Sequence, residues 1–322
     1  MNRPDDSFLS ADQLANVRHQ ADRLLRDAGA VGRFPTPIDD LMAAAKVAVV
    51  DDEVLNEGFL RRFMAKAAAG VATIKSALSK VLGLFEANDR LVVLDKNIPA
   101  PRVPFVKLHE AGHGMPHQSK MYALMQDCEK TLDPEITDLF EREANVFASE
   151  ALFQGETFAK HAHDREFGIK TAMALAKQFG GSNYATFRRY VTTNPRACCL
   201  VVLEPLIGAR GKDFKAEVRR VIASASFARM YDAAKLARPV MSGHPLLAIV
   251  PRGAKQRMVY PRGIALVDRN GDSHECIGEA FNTKHQVLIL LREGRRLGVT
   301  KIVVPGSAEF NRTLPKAGKI RR

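Results

Sequence analysis

His109-Glu110-Ala111-Gly112-His113 is the stretch of this 322-residue chain whose side chains could do chemistry together. Residues four apart share one face of a helix, so the imidazoles of His109 and His113 could hold a single Zn²⁺. Glu110, next to the first histidine, is placed to act as general base toward water at such an ion. The plain alternative is a surface helix with two unrelated histidines. A third ligand separates the two readings, because an open catalytic site takes three protein ligands.

The next predicted helix offers that ligand in Glu141-Arg142-Glu143-Ala144-Asn145-Val146-Phe147-Ala148, 28 residues past His113. Gluzincin-type sites take a Glu from a following helix, with Asp or Asn four residues later supporting a ligand histidine through its ring N–H. Glu141 with Asn145 has that spacing, so Glu141 is the expected ligand and Asn145 its support. Glu143 points about 160° away from Asn145's face at 3.6 residues per turn and is the weaker candidate. A metzincin would need Gly and His where Pro116 and Ser119 stand. His117 continues the four-residue spacing, but Pro116 predicts that the helix has ended, so His117 reads as a loop residue. His274-Glu275-Cys276 is followed by Ile277 and Gly278 and makes no second HExxH.

These residues need elements to carry them. A capping box at Ser10 and Gln13 opens a helix over 10–28 with the stripe Leu14, Val17, Ala21, Leu24 and Leu25. Thr36-Pro37 starts a second helix leading to a strand at Val47–Val50. Residues 59–82 read as a helix with a basic face, and Leu91–Leu94 as a strand. The HExxH helix covers 105–114, then a polar segment leads to a helix from Asp133-Pro134 to about Leu152. Residues 171–191 read as two helices around Gly180-Gly181-Ser182, like a helix-turn-helix, with Arg188 and Arg189 on the second as candidate DNA contacts. From Cys198 on, short apolar runs alternate with turns: Leu200–Leu203, Leu246–Val250, Met258–Tyr260, Ile264–Val267, Val287–Leu291 and Ile302–Val304, with one helical segment at about 213–236.

Charge divides the chain. Against a total of +12, residues 1–159 hold 18 Lys+Arg and 24 Asp+Glu, whereas residues 160–322 hold 30 and 12. The chemistry therefore sits in the acidic part, and the basic part suits an acidic partner or a polyanion. Its basic residues have few aromatics among them, so stacking on single-stranded nucleic acid is poorly supported and DNA is not the favoured partner. The polar start, the lack of ~18 consecutive apolar residues for a membrane span, and four cysteines without CxxC spacing lead us to expect a cytoplasmic protein with free thiols and no membrane partner.

In the order of its motifs the chain resembles the ImmA/IrrE-type metallopeptidases. The resemblance rests on the lead-in Ala21–Val50, the strand Leu91–Leu94, Val106–His117 and Glu141–Ala148, and it covers roughly residues 10–190. It departs where Leu152-Phe153-Gln154 replaces a Leu-Met-Pro-like end, and where the basic 59–82 segment looks inserted. The resemblance implies zinc on His109, His113 and Glu141, with Glu110 activating water. It also implies cleavage of a helix-turn-helix transcriptional repressor that switches on stress or mobile-element genes. Leu91–Leu94 would be an edge strand that pairs with an extended substrate segment. Tyr122, His161 and His163 are the candidates for stabilising the oxyanion.

The expected fold class is α+β: a mainly helical zincin-like domain with a small sheet over 8–160, a helix-turn-helix-like segment over 161–195, a basic β-rich sensor-like domain over 196–310, and a flexible tail over 311–322. The competing function is a DNA- or partner-binding regulator with a structural or vestigial metal site.

Overall fold

Residues 9–52, 83–86, 91–95, 97–127, 133–206, 214–252 and 257–296 are described by the computed structural model. The helix read at 59–82, the strand at Ile302–Val304, Cys128 and the basic tail lie outside them.

The chain starts as its capping signals dictate. Ser10 and Gln13 cap each other across the first turn of α1 (Ala11–Asp27), which buries Val17, Ala21, Leu24 and Leu25. A short α2 (Ile38–Ala44) leads into β1 (Ala48–Asp52). With β2 (Gly83–Glu86) and β3 (Leu91–Asp95) it forms a sheet in the order β1-β3-β2. Here the structure corrects the sequence reading. β3 is the central strand, parallel to β1 and antiparallel to β2, so both its edges are already paired and it has none to offer a substrate. The edge strand that packs beside the HExxH helix is β2.

Two long helices frame the metal-ligand motifs: α3 (Val103–His113) and α5 (Pro134–Leu152). Between them, α4 (Pro116–Asp127) occupies what the sequence had suggested was a polar non-helical segment. Pro116 does end α3, but it also begins α4, because proline is well tolerated in a first helical turn. His117 is therefore a helix residue. After α6 (Glu156–His163) come α7 (Ile169–Phe179) and α8 (Asn183–Thr192), separated by Gly180 in a left-handed C-cap and Ser182 as N-cap.

A five-stranded antiparallel sheet follows, with β4 (Cys198–Leu203), β5 (Val218–Ala223), β6 (Met258–Val267), β7 (Ser273–Asn282) and β8 (Val287–Arg296) in the order β5-β4-β8-β7-β6. All six residues of β4 are buried, and they alternate between two cores. Cys198, Leu200 and Val202 join the core of the helices, while Cys199, Val201 and Leu203 face a second core with Phe227, Tyr231, Leu246 and Ile249. The segment read as helix at 213–236 is instead β5, the short helix α9 (Ala225–Met230) and a 3-10 turn at Ala233–Ala237. The apolar run Leu246–Val250 is a 3-10 turn, Pro245–Ile249, that covers the sheet. The fold is thus mixed α/β, and its first core runs without a break across the boundary expected near residue 195.

Candidate metal centre

α3 presents His109 and His113 on one face while Leu108, Ala111 and Gly112 turn to the core. At Gly112 a Cβ would lie 3.0 Å from the Cα of Ala144 on α5. Only a hydrogen fits comfortably there, so the glycine lets the two helices approach closely. That approach brings Glu141, one turn before Ala144, to the histidine pair.

The candidate donor groups converge. His109 Nε2 and His113 Nε2 are 3.4 Å apart. Glu141 Oε2 lies 3.4 Å from His109 Nε2, and Glu141 Oε1 lies 3.6 Å from His113 Nε2. Ligand atoms ~2.0–2.1 Å from a tetrahedral ion stand about 3.3–3.4 Å from one another. The spacings of this donor cluster are thus close to those around a metal ion, and its nitrogen and carboxylate donors suit zinc chemistry. The Glu141 side chain is 53% exposed, so the cluster opens to solvent on that side.

Electrostatics acts in opposite directions on the two histidines. Burial, reinforced by the neighbouring His109, pushes the pKa of His113 down to about 4, so this imidazole is neutral over the ordinary pH range. At His109 burial opposes the charged form, but the Glu141 hydrogen bond and the charges of Glu110 and Glu141 outweigh it and raise the pKa. Glu141 shows the converse: burial would raise its pKa, yet His109 and His113 hold it below the ordinary carboxylate value. Glu110 is buried next to His109, where its charge is felt by the imidazole.

The other candidate residues divide. Asn145 interacts with the His109 ring from one turn along α5, yet His109 Nδ1 itself is buried without a hydrogen bond of ordinary geometry. Glu143 faces away from the ligand triangle and meets His117 Nε2 at 2.6 Å and Gln118 Nε2 at 2.7 Å. Gln118, which the sequence reading passed over, also contacts His113. Its only sequence signal is that it follows a helix break, and which side chain then folds back is set by the angle between α3 and α4. Tyr122 lies on α4 with its side chain outside the described residues. His161 is not part of the cluster; it packs edge-on against Phe34 and Phe179 and bonds Gln178. His163 ends α6 exposed to solvent. Arg188 is half-buried on α8.

Arg189 needs correction. It is buried, with its guanidinium paired to both carboxylate oxygens of Glu150 at 2.9 and 2.8 Å and a further bond to the Gly155 carbonyl. It has no reach to a DNA backbone. α8 also buries Thr186, Phe187, Tyr190 and Val191 and packs on β4 and β5, so it is no free recognition helix.

Residues 67–186 match the family model described as the Peptidase_M78, IrrE N-terminal-like domain. Among solved structures, the chain is similar in fold to a Mycobacterium tuberculosis transcriptional regulator. The two share 14% sequence identity with a TM-score of 0.50, over 89% of this chain and 90% of that one. No curated protein matches the chain. No described helix is long and apolar enough to cross a membrane.

Proposed function

Starting from an IrrE N-terminal-like domain of the ImmA/IrrE family at residues 67–186, we propose that the chain is a zinc-dependent metalloendopeptidase of the cytoplasm. The observation that carries this reading is the triangle of His109, His113 and Glu141, open on the Glu141 side, with Glu110 buried against it. A structural site would close with a fourth protein ligand and would have no need of a neighbouring base.

His109, His113 and Glu141 would hold the ion. When bound, it supplies Lewis-acid polarisation of the scissile carbonyl and lowers the pKa of water. Glu110 takes the proton from the attacking water and returns it to the leaving amine as the C–N bond breaks. An extended substrate segment would add to the edge of β2 that is unpaired among the described residues, beside α3. A helix-turn-helix repressor as substrate, and the induction of stress or mobile-element genes, follow from the family resemblance. The competing reading as a DNA- or partner-binding regulator loses one of its two candidate DNA contacts with Arg189 buried.

The test is co-expression with a candidate helix-turn-helix repressor. The native chain carries one zinc and clips the repressor, whereas Glu110→Gln keeps the zinc and leaves the repressor intact. Clipping by Glu110→Gln would end the assignment of Glu110 as base.

A further inference from the structure

Gln118 is fully buried and hydrogen-bonds on both ends of its amide. Its Oε1 lies 3.0 Å from His113 Nδ1. Its Nε2 reaches Glu143 Oε2 at 2.7 Å and the Phe140 carbonyl at 3.4 Å. His117 Nε2 stands on the same Glu143 oxygen at 2.6 Å. Glutamine oxygen and nitrogen look alike in shape, and an imidazole has two neutral tautomers, so such a chain is normally ambiguous.

Here the ends remove the ambiguity. A carboxylate and a backbone carbonyl only accept hydrogen bonds, so Glu143 and Phe140 must both face the NH₂ end of Gln118. Its carbonyl oxygen then faces His113, and that oxygen also only accepts. His113 Nδ1 must therefore carry the hydrogen, which leaves the lone pair on Nε2, the atom that points at His109 and Glu141. Turning the amide over would set acceptor against acceptor at Glu143 and at Phe140.

We propose that Gln118 is a positioning residue for the metal centre: anchored by Glu143, it holds His113 in the Nδ1–H tautomer that offers Nε2 to the ion. This rests on the metal centre proposed above and adds to it a link from α4 through α5 to α3. It also gives buried Glu143 a role that does not compete with Glu141, since its carboxylate orients the glutamine and is in turn met by His117. The helix break at Gly114 and Met115 is what makes the link possible, because it lets α4 return Gln118 to a histidine five residues earlier.

The experiment uses the full chain stripped of metal by a chelator, then titrated with zinc alone. Imidazole nitrogen NMR of the metal-free native protein reads the tautomer directly, and competition with a chromophoric chelator reads zinc affinity. His113 is expected as Nδ1–H. Gln118→Met, similar in volume and lacking the acceptor, is expected to bind zinc about 10–100-fold more weakly, the usual cost of losing a histidine's outer partner. His113 in the Nε2–H form, or Gln118→Met binding zinc as tightly as the native chain, overturns the proposal. The tautomer of the native protein decides the matter even if a variant does not fold. A native chain that shows the Nδ1–H form and binds zinc but cuts no repressor ends the peptidase reading and leaves this one standing.

Discussion

Glu141 and Glu143 are two residues apart on α5, which on a helix turns them about 160° from each other. That angle gives them different work: Glu141 reaches His109 and His113, while Glu143 lies beneath, bonded to His117 and Gln118. Glu141→Ala should therefore leave purified protein without stoichiometric zinc. Glu143→Ala should retain zinc with lower affinity, and metal analysis of the two variants checks this. Gly112 is the other single position on which the geometry depends. Gly112→Ala would press a methyl group against the Ala144 backbone, costing about 1–3 kcal/mol as overpacking. It should also weaken zinc binding by moving Glu141 outward, which denaturant melts and chelator competition can measure separately.

At the scale of elements, α5 carries Glu141, the proposed metal ligand, in its middle and an ion pair near its end. Glu150 is 4% exposed and is held by Arg189 from α8 and by Arg18 from α1. Removing Arg189 leaves the buried carboxylate with Arg18 only, whose own side chain is 55% exposed, so Arg189→Ala should destabilise the fold by up to about 3–5 kcal/mol. Thermal or urea unfolding would show it. Burial alone would raise the pKa of Glu150, but the Arg189 and Arg18 partners hold it below 4.5. A depressed folded pKa means that this stabilisation is fully present above the unfolded value and is lost as pH falls through the folded one. Urea midpoints of the native chain should thus drop below pH 4.5 more steeply than those of Glu150→Gln, and parallel acid limbs would count against the pair. Among the elements, β7 went unread in the sequence because its inward residues are His274, Cys276, Gly278 and Ala280, small or polar rather than β-branched. A side chain at Gly278 would collide with Ile264 and Ile249, so the partners of this strand, and no propensity of its own, made it one.

For the whole molecule, the expected division near residue 195 has a measurable consequence. Cys198, Leu200 and Val202 of β4, with Leu288 and Leu290 of β8, share one core with Phe179, Phe187, Tyr190 and the helices of the metal centre. The carboxylate of Glu279 on β7 also accepts from the backbone N–H of Ile169 at the start of α7. A chain ended after residue 195 would expose that core. It should therefore aggregate or lose cooperative unfolding rather than survive as an independent metal-binding unit. A soluble fragment that unfolds cooperatively would show that the two parts are separable. The helix pair α7–α8, which reads in the sequence like a helix-turn-helix, packs on β4, β5 and β7 of the five-stranded sheet.

The sequence alone determined what depends on near neighbours. The capping box of α1 and the shared face of His109 and His113 both follow from positions three or four residues apart. What tertiary structure decided depends on partners far along the chain. The Gly112–Ala144 approach, the return of Gln118 to His113, the burial of Arg189 by Glu150 and the central place of β3 are each set by how separate elements pack. Spacing fixes direction on a single helix, but which surface meets another is fixed only when apolar faces from distant segments are buried together.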